Sequence, residues 1–348
     1  MTDLSSPPAA PARAHASRAE RPMLARVADA VYWMSRYIER AEHVARALLV
    51  NADLLTDVGD MAPQLRQRLW QGVLQLTNLD ATAPAPPSSG NGHGHSINPD
   101  LAIPHRMTLD PANSNSILNC LTKARENARS VRENISAEMW EHLNTLYWSL
   151  KADDAAARFE ESPGEMLRVV INGSMLFQGL TDQTIPRGQP WLFTQVGKFL
   201  ERTDVTARLL ETKYLLLHEV ENTLESALRN IHWMAVLRSC GSIEAYRRRY
   251  LGDLEPERVA GFILFEPGLP RSIRYAVHHA KQCAARIREQ ANPGLADGAD
   301  RILGRLNADL EFADSDNLLQ RGLPAFLASI RATTAQAHLA IQKAYFLN

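Results

Sequence analysis

From Met23 onward, apolar residues recur at helical spacing along almost the whole chain. Between Tyr32 and Leu49, the residues Met34, Ile38, Ala41, Ala45 and Leu48 follow one another at intervals of four, three, four and three. That spacing lines one face of an α-helix, which turns about 100° per residue. Similar patterns run through 62–78, 116–151, 164–180, 190–238, 270–291, 300–313 and 323–347. Alternating runs that would mark strands are scarce. Many of the 18 Gly and 19 Pro fall between the periodic segments, where helix stops are expected. The pattern predicts an all-α protein.

Two stretches fall outside the pattern. Residues 81–100, ATAPAPPSSGNGHGHSINPD, are rich in Pro, Gly, Ser and Asn and cannot bury a face, so they read as a flexible surface loop. His93 and His95 within it have no carboxylate or thiol neighbours and read as solvated rather than metal-binding. Residues 1–22 carry Pro, Ser, Ala and Arg without a continuous apolar run. They read as a disordered tail, not as a secretory signal.

The periodic part contains an internal repeat. YIERAEHVARAL (37–48) aligns with FLERTDVTARLL (199–210), with Glu39/Glu201, Arg40/Arg202, Ala45/Ala207, Arg46/Arg208 and Leu48/Leu210 identical. Further blocks follow in the same order: RLWQGVL (68–74) with IHWMAVL (231–237), and DPANSNSI (110–117) with EPGLPRSI (266–273). The helical segments after the last pair share Ala124/Ala280, Ala128/Ala284, Arg132/Arg288 and Glu133/Glu289, and Leu143-Asn144 answers Leu306-Asn307. Repetition in order over about 160 residues predicts a duplicated helical unit related by a pseudo-two-fold axis. Its halves are placed at 23–180 and 181–348, packed as one domain.

On a helical wheel, Ile38, Ala41, Val44, Ala45 and Leu48 form the apolar arc of the first Glu-Arg segment. Glu39, Glu42 and Arg46 share the opposite arc, with Arg36 and His43 beside them. The second segment repeats this with Glu201, Asp204, Arg208, Lys198 and Arg202. Glu42/Arg46 and Asp204/Arg208 are acid-then-base pairs at i,i+4, worth about 0.2–0.5 kcal/mol on an exposed helix. Arg40 and Arg202 sit on the shoulder of the wheel near aromatic residues, where an arginine needs a partner. That partner is either a buried carboxylate of the other repeat or a bound anion. Arg36, Arg40, Glu42, Arg46, Lys198, Arg202, Asp204 and Arg208 are therefore candidate binding residues, and Glu39 and Glu201 candidate catalytic ones. A purely structural ion-pair network fits the same residues. Ser116 and Ser272 precede apolar helical patterns and read as N-caps, with an anion site at those helix starts as the alternative, favoured by Arg271 at the second.

Charge and composition change the picture mainly by exclusion. With 38 Lys+Arg against 39 Asp+Glu the net charge is −1, which gives no general attraction to nucleic acid. No run approaches the roughly 18–20 apolar residues of a membrane span. Cys120, Cys240 and Cys283 are few, far apart and without CxxC spacing, so disulfides and zinc are not expected and a reducing cytoplasm is. HExxH, GxSxG and GxxxxGK[ST] motifs are missing, and none of the 11 His follows a Glu by three residues as a di-iron bundle requires. No metal or cofactor is expected.

The segments VYWMSRYIERAEHVARALL, ARENARSVRENI followed by MWEHLN, GSMLFQGLTDQT, VGKFLERTDVTARLL, LRSCGSIEAYRR and FEPGLPRSIRY resemble those of the bacterial alpha-E family. The family is all-helical and takes its name from a Glu-Arg motif, which here corresponds to Glu39-Arg40 and Glu201-Arg202. The Pro/Gly/Ser-rich insertion at 81–100 departs from the family's pattern. The resemblance implies a setting rather than an activity: members are encoded beside circularly permuted ATP-grasp proteins and transglutaminase-like proteins, in systems that make or cut a peptide or isopeptide tag. The expectation is an accessory, non-catalytic partner of an ATP-grasp amide ligase that binds a peptide or carboxylate. An amide-bond enzyme with a glutamate base of raised pKa, or a bare scaffold, are the alternatives.

Overall fold

The computed structural model describes residues 23–58, 63–76, 101–220, 226–251, 254–290, 298–313 and 322–347. The expected tail and the 81–100 loop, with His93 and His95, lie outside them. Every regular element among the described residues is helical.

Two long helices, α1 (Ala25–Val58) and α8 (Gln189–Val220), form the axis of the molecule and pack against each other. Around α1 stand α4 (Ile117–Ser130), α5 (Ala137–Lys151) and α7 (Pro163–Thr184), so that α1, α4, α5 and α7 close a ring of four. Around α8 stand α12 (Ile273–Gln290), α13 (Ala299–Glu311) and α14 (Leu323–Ile341), closing a second ring in the same order. The remaining helices are α2 (Pro63–Leu76), α3 (Ala102–Thr108), α6 (Ala155–Glu161), α9 (Ser226–Ser239), α10 (Ile243–Tyr250) and α11 (Pro256–Phe265). One apolar core joins Met34, Ile38 and Leu48 of α1 to Leu121 of α4, Val170 of α7, Leu200 of α8 and Ala280 of α12. A second core gathers around Trp233 of α9 and Tyr246 of α10. Residues 180 and 181 both lie inside α7, and Ile185–Gly188 connects α7 to α8.

The local chemistry explains the helix ends. Ser116 Oγ accepts from the Asn119 N–H at 3.2 Å and Ser272 Oγ from the Tyr275 N–H at 3.0 Å, so both serines cap as expected. The periodic stretch 116–151 is two helices rather than one. The chain leaves α4 at Val131, runs extended at Ile135 and restarts where Ser136 Oγ accepts from the Met139 N–H. Gly241 ends α9 at φ +59, where the Ser242 N–H reaches back to the Leu237 carbonyl, a left-handed stop that suits glycine.

The two axial helices approach closely at one point. A Cβ on Gly197 of α8 would collide with the backbone carbonyl of Tyr32 in α1. Any larger residue there would force the helices apart, and this close approach is what brings the Glu-Arg segments face to face.

Candidate functional site

The polar arc of α1 does not face water. Glu39 is fully buried, Glu42 and Arg36 nearly so, and His43 is 7% exposed. The apolar arc packs into the core, while on the polar side Glu39 meets Arg202 of α8, Glu42 meets Arg271 before α12 and Arg46 reaches Met175 of α7. The exposed-helix reading of Glu42/Arg46 is therefore corrected: the pair exists at 2.9 Å, but its carboxylate is out of solvent. A wheel separates polar from apolar faces and cannot tell water from a second polar helix.

The two Glu-Arg motifs clasp each other reciprocally. Arg40 donates from Nε to Glu201 Oε1 at 2.6 Å and from Nη2 to Oε2 at 3.1 Å. Arg202 donates from Nε to Glu39 Oε1 at 2.7 Å and from Nη2 to Oε2 at 2.8 Å. Both are bidentate fork contacts, the strong form of an arginine–carboxylate pair. Each arginine also holds the turn before a neighbouring helix: Arg40 through Asn115 Oδ1 at 3.2 Å, and Arg202 through the Pro270 carbonyl at 3.0 Å. The carboxylate partner expected for these arginines is found for each, Glu201 for Arg40 and Glu39 for Arg202.

Further basic residues attach to each clasp. Arg36 Nε donates to Glu201 Oε2 at 2.8 Å, and its Nη1 donates to Tyr32 Oη at 3.1 Å. Tyr32 in turn bonds His338 Nδ1 at 2.8 Å. On the other side Arg271 donates to Glu42 and approaches Glu39 at 3.6 Å. The anion role suggested for Arg271 is thus taken by this chain's own carboxylates. Lys198, the counterpart of Arg36, lies with Nζ 4.6 Å from the Phe199 ring centroid. Asp204 and Arg208 pair at 2.8 Å, and Arg331 lies 3.6 Å from Asp204 while bonding Glu211 at 2.7 Å.

The electrostatics follow from burial and these contacts. Burial pushes the Glu39 carboxyl up, but Arg202 and Arg271 outweigh it and hold the group at about 2. Glu201 is likewise pushed up by burial and brought to about 2 by Arg40 and Arg36. The raised pKa expected of a glutamate base is therefore not found, because each carboxylate is held in its charged form by two arginines. Burial, then the charge of Arg271, takes His43 down to about 3, and burial followed by Arg202 takes Lys198 down to about 8. His43 is neutral at pH 7, and neither ring nitrogen has a hydrogen-bond partner.

A cavity of about 90 Å³ opens beside the first clasp. Arg40, His43, Asn115, Glu201, Asp204 and Arg208 supply its polar wall, and Val44, Ala47, Met107 and Val205 its apolar one. Arg36, Glu39, Glu42, Arg46, Lys198 and Arg202 do not line it, whereas Arg40 and Glu201 belong both to a clasp and to the cavity wall. His43, which the sequence places beside the polar arc but not among the candidates, and Asn115, which it does not single out, also line it. The signal lay in the repeat alignment, where His43 stands against Val205 and Asn115 against Arg271. His278 and His279 do not join: His279 stacks on Phe199 at 5.3 Å, and His278 bonds Gln282. Among the described residues no group of three or more His, Cys, Asp or Glu is placed to hold a metal ion. Cys120, Cys240 and Cys283 are buried free thiols.

The fold and the site define an all-helical protein whose two axial helices are locked by exchanged Glu-Arg pairs. The chain belongs to the Alpha-E family, described as a predicted alpha-helical domain with a conserved ER motif, which matches residues 23–346. It is also similar to an uncharacterized protein of Mycobacterium bovis and two of Mycobacterium tuberculosis, each 23% identical over 336 residues. The match covers 91% of this chain but 36% of each relative, so the chain spans about a third of their length. No solved structure matches the chain. No helix among the described residues is long and apolar enough to cross a membrane.

Proposed function

We propose that this chain is a non-catalytic helical partner of a circularly permuted ATP-grasp amide ligase, in a peptide or isopeptide synthesis system that also includes a transglutaminase-like protein. In this reading the chain works in the cytoplasm and presents a peptide end or another carboxylate to the ligase. The setting comes from the family resemblance. The observation that carries the non-catalytic part is the state of the two glutamates: buried, doubly paired and held at about 2, they are weak proton acceptors. A general base works best with a pKa near the operating pH. The same proposal takes the chain as one duplicated unit, supported by the matching packing order of the two helical rings.

A pure scaffold is the second reading, and the complete pairing of Glu39 and Glu201 favours it. The two separate in one experiment: ADP release by the ATP-grasp protein, supplied with peptides and amino acids, with and without this chain. Turnover that needs both proteins supports the proposal. Equal turnover by the ATP-grasp protein alone overturns it, and hydrolysis or ligation of an amide by this chain alone overturns the non-catalytic part.

A further inference from the structure

Helix α7 turns an uncharged face outward. Its inward stripe, Met166, Val170, Gly173, Phe177 and Thr181, is buried, and the helix packs there on α1 and α5. On the outward stripe Val169, Asn172, Leu176 and Gly179 follow one another at intervals of three, four and three, with Met175 beside them, and all five are exposed. No charged residue stands between Arg168 and Asp182. Val169, Met175 and Leu176 are 47%, 54% and 53% exposed. Single exposed apolar side chains are ordinary on a protein surface. Three within about two turns, with no charge among them, form the kind of patch that marks an association surface.

Gly179 has no role in the packing of its own chain. A Cβ there would meet nothing within 4 Å, yet glycine inside a helix costs about 0.5–1 kcal/mol relative to alanine. Gly173 on the inward stripe is the contrast, since a Cβ there would stand 2.9 Å from the Leu146 side chain. A notch in an exposed apolar stripe is what the close approach of another surface requires.

The charged residues at the ends of the stripe identify that surface. Glu165 and Arg168 stand at the N-terminal end, exposed and paired at 2.7 Å. Asp182 stands at the other end and pairs at 3.2 Å with Arg187, just beyond the helix, again exposed. The order along the stripe is acid, base, apolar, acid, base. Two copies laid antiparallel about the midpoint between Met175 and Leu176 set Arg168 of one against Asp182 of the other, Glu165 against Arg187, and Asn172 against the notch at Gly179. A parallel pair would set Arg168 against Arg168 and Asp182 against Asp182, which repel. Among the described residues Arg168 donates from Nη1 alone, and the Asp182 carboxylate accepts at Oδ1 alone, so each keeps capacity for a partner.

We propose that the outward face of α7 pairs with the same face of a second copy of this chain, antiparallel, in a two-fold dimer. The stripe from Val169 to Gln183 is about 21 Å long and one helix diameter, about 10 Å, wide. A strip of that size covers less than the ~800 Å² per partner of a standard interface. The dimer is therefore weak, with a dissociation constant in the micromolar range. It stands apart from the ligase reading, because the stripe shares no residue with the Glu-Arg joint.

Sedimentation velocity of the full chain over a wide range of concentration tests this. The average mass should rise from that of one chain towards that of two. Leu176→Glu, at an exposed position, should weaken association at least about tenfold and leave the melting temperature unchanged. Gly179→Leu should also weaken it while raising the melting temperature, because leucine is the better helix former and fills a notch only the second copy uses. Arg168→Glu should weaken the dimer about two- to fivefold, and adding Asp182→Arg should recover most of that loss. A chain that stays monomeric at every concentration overturns the proposal, as does a dimer indifferent to Leu176→Glu and Gly179→Leu. A charge-swapped double variant weaker than Arg168→Glu alone overturns the antiparallel register. A monomeric chain that binds the ATP-grasp protein and loses it on Leu176→Glu overturns the second copy as occupant and gives the face to that partner.

Discussion

Replacing Glu39 with glutamine would remove one charge from the interior and leave Arg202 facing a neutral amide. Glu39 accepts both arms of Arg202 at 2.7 and 2.8 Å and lies 3.6 Å from Arg271. Its carboxyl falls from an ordinary 4.5 to about 2, which corresponds to about 3 kcal/mol of preferential stabilisation of the charged form. Losing one partner of a buried pair costs about 3–5 kcal/mol in general, so Glu39→Gln should destabilise the fold by about 3 kcal/mol. Arg202→Met should cost a similar amount, since it leaves Glu39 with Arg271 alone. The double replacement should cost clearly less than the sum, because neither charge then remains unpaired, with a coupling of about 2 kcal/mol. Urea unfolding followed by circular dichroism at pH 7 measures all four proteins. Additive single losses, or single losses under about 0.5 kcal/mol, would refute the buried clasp and return the pair to the solvated category.

Three further expectations follow from burial. His43 and His232 are held neutral at about 3 and about 4, so the unfolded chain takes up two protons below about pH 6.5 that the fold refuses; their contribution is full above that pH, and stability should fall by up to about 3 kcal/mol per unit between pH 5.5 and 4.5. Unfolding curves flat from pH 7 to 4.5 would contradict this. Gly197→Ala should destabilise by about 1–3 kcal/mol through its collision with Tyr32, whereas Gly304→Ala, which meets nothing within 4 Å, should stabilise by up to about 1 kcal/mol; melting temperatures moving the same way in both would refute the close crossing. Lys213 is brought down to about 8 by burial, a penalty present at neutral pH and relieved as pH rises from about 8 towards 10.5, so Lys213→Met should raise stability at pH 7 by about 3 kcal/mol, and a loss in urea midpoint would refute it.

The long elements were legible in the sequence because their apolar period extends over several turns, and the capping serines because their hydroxyls sit where α4 and α12 begin. Helices α3, α6, α10 and α11 were not, since 7, 7, 8 and 10 residues give too few turns for a period to emerge. Arg40 and Arg202 could be read as needing partners, as polar groups beside Tyr37 and Phe199 at about 5.6 and 5.7 Å. The identity of the other members depended on tertiary placement. Arg271 stands 229 residues from the Glu42 it bonds, and nothing local in its sequence points there. The polar arc of α1 looked solvated for a related reason: hydrophobic period reports what a face is made of, and the partner of a charged face is set only when a second charged face is brought to it.

Buried ion pairs of this kind seldom raise stability above what well-packed apolar residues would give, so stability alone does not account for the composition of the joint. The exchanged clasps do something an apolar seam could not. Glu39 meets Arg202 while Arg40 meets Glu201, and a slide of α1 along α8 by one turn would break both exchanged pairs at once. Register is thereby fixed by a penalty on alternatives rather than by a gain in the native state. Once register is fixed, Asn115 and Arg271 occupy like places before their capping serines, and the difference in their lengths becomes a difference in space. One end of the joint is closed by the chain's own guanidinium. The other keeps a cavity on whose wall two guanidiniums are paired with two carboxylates, an asymmetry within an otherwise reciprocal joint.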